Sequence, residues 1–483
     1  MKDFEPCDVI VVGAGSAAFA AAVSARLHGA EKVVMVEKAP EEHSGGNLRY
    51  SEGGIRFVHE GSKEIRQFLH HIRNAEFESY HLPPYREEEF LTDLKNLTHN
   101  QCDLELADKL VAESNYALHW LLELGHEWNP GSFVDIDGMK YFERGLHLRF
   151  RGGGVQQLKK WRDIADRMKI DIRFESRVSA LLGSDNKIEG VSVSASHGEY
   201  VLSGRAVILC AGGFQANAQK RAQYLGQNAE LMKVRGSRYD TGEVLEMALA
   251  LGAKPSGQWE LAHGSPLSLN APDVECKGIY NRYSYPLGIT VNTAGVRFFD
   301  EGEDESTYTY AKTGFKILAQ PKGIAYQIYD QQTAPLLRGN YVLETAIEAD
   351  CLEELAEKLA IHPKVFLKTV HDFNQSVNGA VEVDYTHKDG KNSLNLDPPK
   401  SNWAVRIEKP PFLAYPVTGG ITFTYGGVSV NTNAQVINTA GNAIEGLYAV
   451  GDIVGMFYHN YPACAGLTRN FVFGRLAGRH AVL

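Results

Sequence analysis

The chain has no paired or clustered cysteines. Its six (Cys7, Cys102, Cys210, Cys276, Cys351 and Cys464) are scattered, without a CxxC or a neighbouring histidine group. That spacing excludes the usual zinc and iron–sulfur sites and suits a reducing compartment. Positive charge is not in surplus either. With 49 Lys and Arg against 59 Asp and Glu, the net charge is −10, which argues against nucleic acid as a partner. No stretch approaches the ~20 uninterrupted apolar residues that a membrane span needs. The most apolar one, Val9 to Leu27, is broken by Gly13 and Gly15 and preceded by Asp3, Glu5 and Asp8, where a signal peptide carries positive charge. The expectation is a cytoplasmic, soluble protein with no targeting segment and no direct membrane insertion. Internal repeats and low-complexity segments are absent as well.

What is abundant is glycine, 47 of 483 residues, gathered in short turns rather than in a linker. This pattern places much backbone against a ligand. The first such turn follows Val9–Val12, a β-branched run that predicts a strand buried on both faces. Gly13, Gly15 and Ala18 then read G-x-G-x-x-A. An alanine-rich helix is predicted over Ala17 to Leu27, and Val33 to Val36 is a second buried strand ending in Glu37. Gly13 makes the turn, Gly15 lets a pyrophosphate approach the helix start, and Ala18 permits close packing. Glu37 is placed to accept hydrogen bonds from ribose hydroxyls. The fingerprint lies between two strands with an acid at the right distance, so it predicts a dinucleotide site.

Further along, HSGGNLRYSEGGIRF (residues 43 to 57) reads as a second wall of that site. Residues 60 to 145 read mainly as helices, with an amphipathic one over Ala107 to Leu124; His70 and His71 read as solvated or core residues. Another helix is expected over Val155 to Met168, strands over Ile170 to Phe174 and Val178 to Leu182, and an antiparallel meander over Val191 to Val201. A buried strand, Ala206 to Cys210, ends in the glycine turn AGGF, at the strand edge where such sheets bind ligands. From Trp259 the texture changes to alternating β-like runs with a helical block, Leu352 to Val377, and a polar loop at 378 to 402. The buried strand of GLYAVGD and a closing helix over Leu467 to Ala481 restore the first texture. The reading is an α/β protein. A Rossmann-like FAD-binding domain (1–258 and 418–483) would carry an inserted α+β capping domain (259–417).

In order along the chain, GAGSAA, Glu37, SGGN, SEGG, AGGF, GVRFFDEGED, YAVGD and FGRLAG resemble the flavoprotein family of fumarate reductase, succinate dehydrogenase and 3-ketosteroid dehydrogenase. RFFDEGED, GITFTYGG and the tail YPACAG look most like the tricarballylate dehydrogenase branch. The resemblance implies FAD. Gly13, Gly15, Ser16, Ala17 and Ala18 would take the pyrophosphate, and Glu37 and Lys38 would lie at the adenosine ribose. Ser44, Gly45, Gly46, Asn47, Ser51, Gly53 and Gly54 would line the flavin side. Val178 would hold the adenine through its backbone, with Ala211, Gly212 and Gly213 in the neighbouring turn. Gly451 and Asp452 would bind the ribitol, and backbone N–H groups near Gly466 and Leu467 would face flavin O2. Asn47 occupies the place of the histidine that carries flavin covalently in succinate dehydrogenase, so the FAD is expected to be non-covalent. A nicotinamide cofactor would leave the glycine walls at 44–54 and 451–467 without a purpose.

The family reaction moves hydrogen across a C–C bond beside a carbonyl or carboxylate, with hydride exchanged at flavin N5 and a proton handled by the protein. The fumarate reductase proton donor falls here on Glu305, and its Thr-Glu pair on Tyr280 and Asn281. A late substrate histidine falls on Phe423 or Thr422. The remaining candidates are His263, Arg282 among Tyr280, Tyr283 and Tyr285, Arg297, Tyr461 and Arg469. Tyr461 aligns with a catalytic tyrosine of the ketosteroid branch and needs a positive neighbour, Arg469 or His459, to act as a base. Arg235 and Arg238 read as supports for the helix entered at Thr241-Gly242. A tricarballylate-like polycarboxylate is the expected substrate, and a ketosteroid-type enone the alternative. An electron-acceptor protein is a further possible partner, and no metal is expected.

Overall fold

The computed structural model describes residues 4–483, and the chain separates into two compact units. One comprises the chain up to Leu225 together with Gly236–Ala262 and Phe423–Leu483; the other comprises Gly226–Arg235 and His263–Thr422.

The first unit is built on the predicted strand–turn–helix–strand: β1 (Phe4–Val12), α1 (Ser16–Leu27) and β2 (Val33–Val36). Then come α2 (Leu104–Glu123), α3 (Gly153–Arg167), β3 (Asp171–Arg173), β4 (Ser176–Gly183), β5 (Ile188–Ala195) and β6 (Gly198–Leu209). Near the end lie β7 (Ala443–Ala449) and α4 (Ala465–His480). Strands β3, β2, β1, β6 and β7 pair in that order, all parallel. The expected meander is the antiparallel pair of β5 with the start of β6, and β6 runs on without a break into the strand expected at Ala206 to Cys210. The first half of β6 pairs antiparallel with β5, and its last three residues pair with β7. A single long strand thus leaves the hairpin and enters the parallel layer, which is why its hydrophobic pattern changes from alternating to continuous.

Helix α1 is buried almost all round, from Ser16 to Ala25, so its alanines serve close packing on both sides. Its partner is α4, which brings Gly474 and Gly478 to the contact. A Cβ on Gly478 would lie 2.1 Å from the Ala21 carbonyl oxygen and 2.8 Å from the Ala25 nitrogen. Ser24 Oγ also donates to the Arg475 carbonyl at 2.7 Å.

In the second unit the strand Phe412–Thr424, which belongs to it as far as Thr422, is central. It pairs with Lys233–Val234, Ile324–Tyr329 and Ile347–Ala349, and Ile289–Asn292 extends the sheet beyond Ile324–Tyr329. A core of Ile289, Val291, Ile328, Leu355, Phe366, Val370 and Phe373 lies against it. The single helical block expected over Leu352 to Val377 is two helices, Leu352–Lys358 and Pro363–Ser376. Pro363 cannot supply the hydrogen bond that would continue the first helix, and Ala360 turns the chain at a φ of 53°. Among the described residues no helix is long and apolar enough to cross a membrane, and no His/Cys/Asp/Glu group could hold a metal ion.

Two predictions follow from packing and burial. Gly478→Val should force α1 and α4 apart at a cost of about 2–3 kcal/mol. This would be read as a lower thermal midpoint; an unchanged midpoint would mean that the helices separate freely. The second concerns His59 and His147, whose Nε2 and Nδ1 atoms lie 2.7 Å apart. Burial pushes their pKa values from 6.5 down to about 4 and about 3. Between pH 4 and 6.5 the unfolded chain therefore binds protons that the folded chain refuses. Their stabilisation is complete above pH 6.5 and is lost on acidification, at about 1.4 kcal/mol per pH unit for each histidine. A thermal midpoint that stays flat from pH 7 to 5 would rule this out.

Candidate active site

The glycine turns predicted from sequence converge within the first unit. Gly13, with φ of 112°, sits so close to the end of β6 that a Cβ would lie 2.4 Å from the Cys210 carbonyl oxygen. Gly15 and Gly46 approach each other. A Cβ on Gly15 would meet nothing nearer than Gly45 O at 3.7 Å, and one on Gly46 nothing nearer than Gly15 Cα at 3.8 Å. The backbone is therefore open at the start of α1, as a pyrophosphate requires. Gly45, with φ of 110°, abuts Leu158, and Gly53 abuts Phe150. Gly451 packs toward Ala17, and Asn470 Nδ2 donates to Ser16 Oγ at 2.9 Å. Gly54 lies against Cys464 just ahead of α4, and Gly466 lies nearest Phe423 and Tyr461.

Glu37 Oε2 accepts from the Ala14 N–H at 2.9 Å and Oε1 from the Ala39 N–H at 2.8 Å. Burial raises its pKa against these bonds. Lys38 is committed to Thr241 and Glu243, and Ser44 Oγ accepts from Arg162. Val178 lies buried in β4 beside a bulge. Asn47 joins two segments: its Oδ1 accepts from the Ser237 N–H at 3.0 Å, and its Nδ2 donates to Asp452 Oδ2 at 3.3 Å. Arg469 pairs with the other oxygen of Asp452. Burial raises the Asp452 pKa; the charge of Arg469 is the leading opposing influence.

Sequence reasoning missed Asp240, Gln215 and Thr424. Asp240 lies under Gly212, and Gln215 Nε2 donates to it at 2.7 Å. Burial, and then the charge of Asp452, drives the Asp240 carboxyl well above the usual range. A Cβ on Gly213 would strike Thr424 Oγ1. No local motif signals this group, because its members lie far apart in sequence. Buried Gln215 Oε1, Thr424 Oγ1, Arg469 Nε and Asn470 Oδ1 find no protein partner among the described residues. Such atoms at a glycine-lined cleft fit a polar dinucleotide.

Tyr461 stands in an aromatic cluster of the first unit. Its ring lies 5.3 Å from Phe423 and 5.2 Å from Phe457. Arg469 sits over both phenylalanines, at 5.6 and 5.1 Å.

The other candidates belong to the second unit. His263 is fully buried beside Tyr310 (5.0 Å), which in turn meets Tyr283 (4.6 Å). Burial first, and the charge of Arg235 second, push the His263 pKa well down, so the imidazole is neutral. Arg282 is a buried residue paired with Glu344, and it lies over the Tyr341 ring at 5.0 Å. Arg297 pairs with Glu301 and donates to the Pro398 and Pro399 carbonyls. Each is held in the second unit by its carboxylate partner. The Arg235 side chain donates to Thr422 Oγ1 at 2.9 Å and to Asn281 Oδ1 at 3.4 Å.

Residues 8–467 match the FAD binding domain family. The chain belongs to this family. It is an FAD-dependent oxidoreductase. The probable fumarate reductase Ifc3 of Shewanella frigidimarina (strain NCIMB 400) is 30% identical over 99% of this chain and 75% of its own length. The NADH:acrylate oxidoreductase of Vibrio harveyi is 26% identical over 99% of this chain, which spans only 50% of that relative. The open conformation of a flavocytochrome c3 fumarate reductase superposes with a TM-score of 0.73 at 28% identity, covering 99% of this chain and 78% of that one.

Asn47 has no nucleophilic ring nitrogen, so nothing at this position can carry the flavin covalently. Acid precipitation should release the yellow colour entirely into the supernatant; colour retained in the pellet would disprove non-covalent binding.

Proposed function

We propose that the enzyme acts on a carbon–carbon bond conjugated to a single ketone or carboxylate, in a substrate with a flat, apolar body. One observation carries this reading: Arg282, Arg297 and Arg469 are each already paired with a carboxylate, Glu344, Glu301 and Asp452 respectively. A guanidinium neutralised in this way has little net charge to offer a polyanion. Two phenylalanine rings, Phe423 and Phe457, lie against Tyr461 and favour apolar area there. Two relatives are named for fumarate reduction and acrylate oxidoreduction, and both of those acids hold an unsaturated bond next to a carboxylate.

When bound, FAD supplies the two-electron exchange with the substrate. The residues of the chain orient the substrate and manage the proton. Tyr461 is the proposed proton-handling group. Arg469 lies over the two rings that flank Tyr461.

A polycarboxylate such as tricarballylate is the second reading, and a cluster in the second unit favours it. Arg235 acts on His263, and Arg338 lies 5.7 Å over the ring of Tyr283. Two cations thus flank the His263–Tyr310–Tyr283 stack. Under either reading a separate redox partner closes the electron balance: it takes the electrons when the substrate is oxidised and supplies them when the substrate is reduced. A redox protein is proposed for that role.

Anaerobic visible spectra decide between the readings. A saturated 3-ketosteroid should bleach the oxidised flavin, or an arylacrylate should reoxidise flavin reduced beforehand with dithionite, whereas tricarballylate should leave the oxidised flavin unchanged. Bleaching by tricarballylate alone would overturn the first reading in favour of the second. Turnover with a dye but not with oxygen or NAD would support a protein acceptor.

A further inference from the structure

Arg56 is fully buried in the first unit, and its charge is held by Asp93 at 3.3 Å. Tyr85 OH accepts from Arg56 Nη1 at 2.8 Å and donates to the same Asp93 oxygen at 2.7 Å. The other Asp93 oxygen pairs with Arg144. What this anchored guanidinium holds is the segment before α4. Arg56 Nε donates to the Ala463 carbonyl at 2.8 Å, and the Arg56 carbonyl accepts from Thr468 Oγ1. One residue thereby fixes both ends of the stretch from Ala463 to Thr468. Within it, Cys464 caps α4 with a left-handed φ of 67°, a conformation that costs energy unless the surroundings enforce it. Tyr461 lies two residues before the first anchor. The first turn of α4, whose leading N–H groups have no partners within the helix, lies between the two.

We infer that Arg56, supported by Tyr85 and Asp93, is a positioning residue that sets the geometry of Tyr461 and of the α4 N-terminus toward substrate and cofactor. The inference rests on the reading that Tyr461 handles the proton and that the α4 start faces the flavin. A displaced α4 start would stabilise the negative charge of reduced flavin less well. A displaced Tyr461 would slow turnover without weakening substrate binding.

The test compares Arg56→Lys, Tyr85→Phe and Tyr461→Phe in the FAD-loaded enzyme. Lysine keeps the charge but cannot reach Ala463 and Asp93 with a fork of donors. Arg56→Lys should lower kcat by about tenfold or more with KM little changed. It should also shift the flavin midpoint potential to more negative values and displace the pH profile of kcat/KM. Tyr85→Phe should move all three in the same direction by less. If Arg56→Lys fails to fold, Tyr85→Phe decides. A folded variant that keeps the potential and pH profile of the parent overturns the inference, because a merely structural residue would leave both alone. Tyr461→Phe separates the two layers. If it leaves turnover and its pH profile intact, the proton-handling reading fails. In that case a potential shift in Arg56→Lys still supports the positioning of α4, and its absence overturns it.

Discussion

The ligand-facing end of the first unit depends on a buried ion pair, Asp452 with Arg469. Asp452 lies just beyond β7, Arg469 lies in the first turns of α4, and Asn47 adds the glycine loop that follows β2. Taking a carboxylate out of water costs several kcal/mol, and an opposite charge with good hydrogen bonds offsets it. Removing either partner would leave a buried charge at a cost of about 3–5 kcal/mol. Three segments distant in sequence are thereby held in one place, and the aromatic rings under Arg469 are positioned by the same guanidinium.

The local chemistry of the cofactor turn was legible in the sequence because its causes are local. A β-branched run, glycines at fixed offsets, a small residue on the helix and an acid after the next strand each act within about 30 residues. The glycine turns that carry Asp452 and Asn47 were legible from their place in the order of motifs, whereas the hydrogen bond that joins the two residues was not. Asp240, Gln215, Thr424 and Arg56 were not. Each owes its role to a partner brought near by the tertiary fold: Asp240 to the turn at Gly212, and Arg56 to Ala463, 407 positions away. The long strand β6 misled the reading for a related reason. Its two halves have different neighbours, and the pattern of one strand changes where its partner changes.

The candidate arginines show why residue type is a weak guide to role. Arg297 and Glu301 stand four positions apart in RFFDE, so the brace was written in the sequence, but the same spacing fits a surface pair or a substrate grip. Burial excludes the surface pair. With both side chains almost inaccessible, the pair has no water to weaken it and leaves little net field for a ligand. Arg282 behaves alike: Glu344 neutralises it and tyrosine rings cover it.

The buried acids of the first unit also say something about the ligand. Glu37, Asp240 and Asp452 are all pushed upward by burial, and Asp240 and Asp452 repel each other. Glu37 adjoins the α1 turn through the Ala14 N–H, and Asp452 adjoins it through Gly451 beside Ala17. Carboxylates attract hydroxyl donors and repel phosphate, whereas the helix start does the reverse. A ligand that satisfies this pattern carries a phosphate-bearing middle with hydroxyl-rich arms. FAD has that layout, with its pyrophosphate between a ribose and a ribitol. A ribose bearing a 2′-phosphate would set its charge against any carboxylate placed as Glu37 is, so this turn favours FAD over a phosphorylated nicotinamide dinucleotide.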